Sequence, residues 1–320
     1  GKNIHQYDHR WATYIAAGEN GGKAETNEVL ESEKINNSFE IRSRYLVSPV
    51  DLMKANSVFP DDFIEASAVG GQFACASAIA SFMLGHDAIS EFDVKSQSRG
   101  ITDKCGVILA ALSTRSDWRN ETIVAKSTRY KSFDADDLTI MKATSNPQEA
   151  LSALVKRRLP RWYIGWRDIT SATNERTMVA SIIPYSGPSY TLRVITKIDA
   201  SPRQQAALLA NLNSIVLDYL ARQSMNGSHL SDYIVKQLPI LPPDRYSIRD
   251  LDFITRRVLE LTYTSSSLKE WAAALGHEGH EFTYNSEARA VIAAELDAYY
   301  CHLYGLSRAD LVYILDPKEA

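Results

Sequence analysis

The apolar positions of the chain follow two periods, one typical of strands and one typical of helices. Short apolar stretches with strand character occur in "WYIGW", "TMVASIIP" and "SYTLRVITKI", and polar segments separate them. Beyond residue 245 the apolar residues recur at helical spacing, which predicts helices over 247–263, 266–275 and 285–304. A last short helix is predicted after Ser307, a good N-cap residue. The pattern predicts an α/β fold class, a mixed α+β body followed by a helical C-terminal bundle.

The strongest helix signal lies between the two regions. Ser201 suits the N-cap, Pro202 suits the first helical position, and Gln204 completes a capping box. We expect one helix from there to about residue 223, ended by Asn226-Gly227. Its apolar positions recur at helical spacing: Leu209, Leu212, Val216 and Leu220.

Composition narrows the class of protein. The 320 residues are 45% hydrophobic and 23% charged, as in ordinary globular proteins, and no apolar run approaches the ~20 residues of a membrane span. The three cysteines are far apart without CxxC spacing, which is typical of a reducing compartment and predicts a cytoplasmic protein. The first residues include neither an initiator Met nor a signal peptide, so we expect a fragment or a processed product.

Charge points to a local basic patch. The net charge of −4 argues against a nucleic-acid binder that uses its whole surface. Residues 156–176 nevertheless hold six basic residues and two acidic ones, Asp168 and Glu175. Arginine suits phosphate oxygens and the guanine edge, although a solvated loop between two core strands has the same composition. The basic residues are Lys156, Arg157, Arg158, Arg161, Arg167 and Arg176.

The opening "GKNIHQYDHRWATY" repeats this chemistry, because Lys2, His5, His9 and Arg10 alternate with aromatic residues. The alternative is an N-terminal arm that its aromatic side chains hold in place. Two basic, aromatic stretches in one acidic chain favour a shared surface.

Catalytic motifs are scarce. "GHEGHEF" places His277 and His280 three apart, but zinc needs three or four ligands, so a polar connector between helices is the better interpretation. Neither a Gly-x-Ser-x-Gly elbow nor a glycine-rich phosphate loop is present in the sequence. A hydrolase or metalloenzyme centred on the two histidines stays open as a rival.

Read in order, several stretches resemble the C-terminal portion of large adenine-specific DNA methyltransferases from class IIG restriction–modification and phage-defence systems. The resemblance covers roughly residues 1–50 and 160–320. It rests on "GKNIHQYDHRWATY", "RYLVS", "WYIGWRDITSATNERTMVASIIP", "NLNSIVLDYLARQSMNGSHLSDYIVKQLPILPP" and "AELDAYYCHLYGLSRADLVYIL".

The resemblance implies a target-recognition region over residues 1–245, with 51–155 as a candidate variable insert, and a helical spacer over 246–320. In that family an upstream domain binds S-adenosylmethionine and methylates adenine at N6. Its Asn-Pro-Pro-Tyr-type motif and its cofactor motif are both missing here. We therefore expect no catalysis by this chain alone, and expect double-stranded DNA and an N-terminal methyltransferase domain or subunit as partners.

The resemblance also implies a set of DNA contacts. Phosphates would be bound by Lys2, Arg10 and Arg176, and base edges by side chains around Arg161, Arg167 and Asn174 and by the 226–229 loop. The full predicted set is Lys2, Tyr7, Arg10, Arg161, Arg167, Thr173, Asn174, Arg176, Asn226, Ser228 and His229. The rival from another class is a protein-interaction module that docks onto another subunit without touching DNA.

Overall fold

The chain forms two compact units. The computed structural model describes residues 3–19, 21–42, 49–56, 64, 66–68, 135–143, 147–188, 190–195 and 199–316. Unit 1 combines Gly1–Leu46 with Arg161–Ala320, and unit 2 is Val47–Pro160. The predicted boundary between residues 245 and 246 falls inside unit 1, and the candidate insert, 51–155, falls inside unit 2.

Unit 1 begins with a tight loop and a hairpin. The loop brings the His5 amide to the Asp8 carbonyl at 2.8 Å, and Tyr7 adopts a left-handed φ of 59° within it. The Tyr7 amide donates to the Ala180 carbonyl at 3.0 Å, which ties this loop to the central sheet. Strands β1 (Ala12–Ile15) and β2 (Glu25–Glu28) then pair antiparallel, and one helical turn, α1 (Glu31–Lys34), follows.

The described part of unit 2 is helical. It contains α2 (Pro49–Asn56), α3 (Ala135–Ala143) and α4 (Pro147–Arg158). Leu151 and Leu154, one helical turn apart on α4, are fully buried. Arg157 and Arg158 also lie on α4 and pair with Asp136 and Asp137 of α3. Half of the basic residues in 156–176 therefore belong to unit 2.

A three-stranded antiparallel sheet carries the centre of unit 1. Its strands are β3 (Trp162–Arg167), β4 (Ala180–Pro184) and β5 (Leu192–Ile195), in the order β4-β3-β5, and they confirm the three predicted strands. β3 is the middle strand, and four of its residues in succession are buried. A Cβ at Gly165 would run into the Ile183 side chain and lie 3.1 Å from the Arg193 carbonyl, so glycine lets β3 and β5 approach here without displacing Ile183.

The predicted helix over 201–223 is two helices. α5 (Pro202–Asn213) begins with the predicted Ser201–Gln204 capping box, and α6 (Ile215–Ser224) follows at once. Between them Ser214 takes an extended conformation and caps α6 through the Leu217 amide. Buried Asn213 bonds both the amide and the carbonyl of Ala180, at 2.9 and 3.0 Å. Polar side chains thus compete with helix hydrogen bonds and break the helix, which an apolar period does not show.

The C-terminal helices confirm the predicted ones closely. After the short α7 (Asp232–Val235) come α8 (Ile248–Thr262), α9 (Lys269–Ala274), α10 (Ser286–Leu303) and α11 (Arg308–Leu315). The helices α7 to α10 share one apolar core with the sheet: the ring centroids of Trp162 on β3 and buried Trp271 on α9 are 5.3 Å apart. The Tyr300 hydroxyl on α10 donates to the Ala207 carbonyl of α5 at 2.7 Å.

Candidate recognition surface

Two loops that are distant in sequence pair at one edge of unit 1. One loop, 168–176, is the first part of the connection from β3 to β4, and the other, 225–231, connects α6 to α7. Ile169 and His229 form an isolated antiparallel bridge. The Thr170 amide donates to the Ser228 carbonyl at 3.0 Å, and the Leu230 amide donates to the Asp168 carbonyl at 2.7 Å. We call these paired loops, residues 168–176 and 225–231, the ridge.

Short polar side chains and one buried carboxylate hold the first loop of the ridge. The Thr170 hydroxyl donates to the Thr177 carbonyl at 2.9 Å and accepts from the Asn174 amide group at 3.3 Å. Asp218 on α6, 1% exposed, accepts from the Thr177 and Met178 amides at 2.7 and 2.8 Å. These internal bonds fix the loop backbone from below.

Five of the predicted contact residues lie in the ridge. All five are exposed, and all five carry neutral or imidazole hydrogen-bonding groups. The two loops that supply them are held in register by backbone hydrogen bonds. The five are Thr173, Asn174, Asn226, Ser228 and His229.

The arginines around the ridge are paired with carboxylates. Arg176 lies 2.6 Å from Asp297, and Arg222 lies 3.0 Å from Asp218 and also donates to the Glu175 carbonyl. Arg193 of β5 lies 3.4 Å from Asp168 and 3.7 Å from Asp232. The ridge therefore presents hydrogen-bonding groups without a concentrated positive charge.

The Arg176–Asp297 pair braces the base of the first loop. Burial acts to lower the pKa of Arg176, but the Asp297 carboxylate holds that pKa above its usual value. The same burial raises the pKa of Asp297 against the pull of Arg176. Asp297 also accepts from the Ile215 amide at the start of α6. Beside the pair, α6 and α11 border a cleft of about 360 Å³ lined by both charged and apolar side chains.

The predictions for Tyr7 and Arg10 are wrong. Arg10 is fully buried, and its guanidinium donates to the carbonyls of Lys34, Asn36, Phe39 and Thr264 at 2.7–3.0 Å. Tyr7 is 4% exposed, and burial raises the pKa of its hydroxyl. Neither side chain has a face left for DNA, because both are buried.

Arg161, Arg167 and Arg176 are not brought together. Arg161 precedes β3 and is 63% exposed, whereas Arg167 ends that strand about 20 Å away, at the usual rise per residue. The Arg167 Nε donates to the Ile4 carbonyl at 2.7 Å, and Arg176 pairs with Asp297. Arg167 and Arg176 thus brace the fold. The predicted contact Lys2 lies outside the described residues.

Sequence reasoning missed the ridge's apolar neighbours and its buried acids. Ile169 is 48% exposed, and Tyr190 and Tyr233 are each 76% exposed on segments next to the ridge. Single exposed apolar residues leave no periodic signal. Asp218 did leave a signal in the sequence, because a carboxylate inside the apolar run "IVLDYL" indicates a buried acceptor.

His277 and His280 lie in the connector between α9 and α10. The His277 ring stacks on Phe282 with centroids 5.2 Å apart. Across the described residues, no group of three or more His, Cys, Asp and Glu side chains is placed to hold a metal ion. None of the helices in that part of the chain combines the length and apolar character needed to cross a bilayer.

The chain matches no protein-family model, no curated protein and no solved structure. The methyltransferase resemblance therefore stays a prediction that rests on the quoted stretches of sequence.

Proposed function

We propose that this chain recognises double-stranded DNA sequence-specifically through the ridge. The observation that carries the proposal is the backbone pairing of loops 168–176 and 225–231, which presents five exposed hydrogen-bonding side chains along one edge. Following the resemblance, the chain acts as the target-recognition part of an N6-adenine DNA methyltransferase in a restriction–modification or phage-defence system.

The ridge is suited to base edges more than to phosphates. Asn side chains pair with adenine through two hydrogen bonds, and hydroxyls accept or donate at several bases. Catalysis is assigned to the methyltransferase domain or subunit, which binds S-adenosylmethionine and pays the few kcal/mol needed to flip the target adenine. This chain binds the duplex on either side of the target adenine.

The arginine pairs set an expectation for salt. Arg193 and Arg222 are about one-third exposed, so they are the ridge's main candidates for phosphate contacts. Two such contacts give a slope of about −2 in a plot of log affinity against log salt concentration. A strongly basic surface would give a much steeper slope.

The test is binding of the chain to a randomised duplex pool at two salt concentrations, followed by sequencing of the bound fraction. We expect a short enriched motif and a shallow salt slope. Asn174→Ala should weaken the preference at one motif position, and Asn27→Ala, at an exposed Asn on the N-terminal hairpin, is the matched control. Binding without any motif would show that this chain does not carry the specificity.

A protein-interaction module is the second candidate, favoured by exposed Ile169 in the ridge and by exposed Tyr190 and Tyr233 close to it in the chain or through Thr191. Tyrosine is enriched at protein interfaces. On this alternative the chain binds no duplex at either salt concentration. Tyr233→Ser would instead weaken its association with a partner subunit.

A further inference from the structure

A buried carboxylate lies directly beneath an exposed histidine of the ridge. Asp168 is 1% exposed, and its Oδ2 lies 2.8 Å from Nδ1 of His229, whose side chain is 59% exposed. The two residues are 61 positions apart in sequence, so the pair exists because the two loops meet.

The backbone holds Asp168 in place from both sides. Its amide donates to the Thr191 carbonyl at 3.0 Å, and its carbonyl accepts from the Leu230 amide at 2.7 Å. Its second carboxylate oxygen lies 3.4 Å from Nε of Arg193, although the described residues supply no hydrogen bond to it.

This arrangement determines which ring nitrogen carries the proton. A carboxylate only accepts hydrogen bonds, so Nδ1 of His229 must be the donor. In the neutral imidazole the other nitrogen, Nε2, then holds a lone pair. An exposed Nε2 with a lone pair is a hydrogen-bond acceptor on the ridge.

We infer that Asp168 is a positioning residue that fixes the Nδ1–H tautomer of His229 and so makes Nε2 a base-reading acceptor. The inference rests on the proposed function and names a recognised group: the exocyclic amine of adenine or cytosine, the donor that those bases present in the major groove. Guanine and thymine present acceptors at the corresponding position and are disfavoured opposite the lone pair.

The first test needs no DNA. Nitrogen-15 NMR of the imidazole ring in the full chain distinguishes the two tautomers at neutral pH. We expect a protonated Nδ1 in the native protein and a protonated Nε2 in Asp168→Asn, because an Asn amide can donate to Nδ1. A native protein with its proton on Nε2 overturns the inference, whatever its DNA binding.

The second test measures the base preference at each motif position. In the pool experiment we expect Asp168→Asn to change the preference at a single motif position by about tenfold, the size of one base contact, with the other positions retained. Uniform loss at all positions, from a folded variant, overturns the base-reading role. If Asp168→Asn does not fold, His229→Phe at the exposed ring should erase the preference at that one position, and an unchanged preference overturns the role.

The proposal of DNA recognition and the inference about Asp168 can be disproved independently of each other. If native chain yields no motif, the DNA proposal and the base-reading role both fall, while the NMR result still decides whether Asp168 fixes the tautomer. A motif together with the wrong tautomer leaves the DNA proposal standing and removes only the inference about Asp168.

Discussion

The N-terminal segment 3–14 and the loop 168–176 both belong to stretches in which the sequence combines basic and polar side chains, but their polar side chains lie in opposite environments. In the first segment Asp8, His9 and Arg10 are all at most 4% exposed. In the second, Thr173, Asn174 and Glu175 are exposed. Local composition is therefore a poor guide to whether a basic stretch forms a binding surface.

The difference comes from the position of the hydrogen-bond acceptors. Arg10 donates to four carbonyls, and these lie between 24 and 254 residues away from it in the chain. Asp8 next to it forms a buried ion pair with Lys34 at 2.8 Å. At the loop 168–176, by contrast, Thr170 bonds the Thr177 carbonyl and Asp218 bonds the Thr177 amide just past the loop, and the side chains of Thr173, Asn174 and Glu175 stay exposed.

Replacing Arg10 should have the largest effect. Arg10→Met leaves four carbonyls without their donor, and the contacts to Lys34 and Thr264 are buried. Each buried acceptor left unpaired costs about 1–3 kcal/mol, so we expect a loss of roughly 2–6 kcal/mol in the free energy of unfolding. Denaturant titration measures that loss. DNA binding, measured at a temperature where the variant is folded, should not change.

Arg161→Met serves as the matched control, since it removes the same group at a 63% exposed site. Comparable losses from the two variants would show that Arg10 is not held by its carbonyl partners. If Arg10→Met protein is folded but no longer binds DNA, the N-terminal segment is part of the recognition surface.

The next largest effect on the free energy of unfolding is expected from His9, a buried histidine of the N-terminal segment. Burial holds the pKa of His9 at about 4, below the usual 6.5. The folded protein therefore keeps His9 neutral where the unfolded chain is already protonated. Its contribution to stability is complete above pH 6.5 and is lost as pH falls towards 4, and it amounts to about 3 kcal/mol.

The measurement is the free energy of unfolding at several pH values between 7 and 4. The free energy of unfolding should fall less between pH 7 and pH 4 in His9→Gln than in the native protein. The loss of free energy of unfolding that remains in this variant is expected to come from His5. Burial lowers the pKa of His5 to about 4 as well. His280→Gln, at an exposed site, is the control, and an equal reduction in that variant would contradict the assignment.

Much of the fold could be predicted from the sequence because its elements are marked locally. Capping boxes at Ser201, Ser247 and Ser307 start three helices, and short apolar stretches identify β3, β4 and β5. The break at Ser214 was missed because it depends on Asn213 reaching Ala180 across the fold.

The candidate site was predicted only in part, for the same physical reason. Its neutral members stand in turn-forming sequences, which expose their side chains wherever the rest of the chain lies. The fate of each arginine depends instead on a partner that the tertiary fold supplies, such as Ile4 for Arg167 and Asp297 for Arg176. Spacing along the chain carries no record of those partners.

Asn174→Ala should have a moderate effect that separates stability from recognition. Its one hydrogen bond, to the Thr170 hydroxyl at 3.3 Å, is half-exposed, so unfolding should change by less than about 1 kcal/mol. Discrimination at one base position should fall by about 1–3 kcal/mol, the value of a bidentate contact to adenine. Binding competition between duplexes that differ at that position measures it, and an equal loss for every duplex would contradict a base contact.

The smallest effect is expected at Arg161, the most exposed of the predicted arginines, whose Nε lies 3.6 Å from Glu270. An exposed pair of this kind is worth at most about 1 kcal/mol, so Arg161→Ala should leave the free energy of unfolding nearly unchanged. Because Arg161 lies at the opposite end of β3 from the ridge, we also expect unchanged motif preference and a salt slope that shifts by less than about 1. A change of preference in this variant would mean that the DNA runs along the full length of β3 instead of crossing the ridge alone, and would extend the recognition surface to the start of that strand.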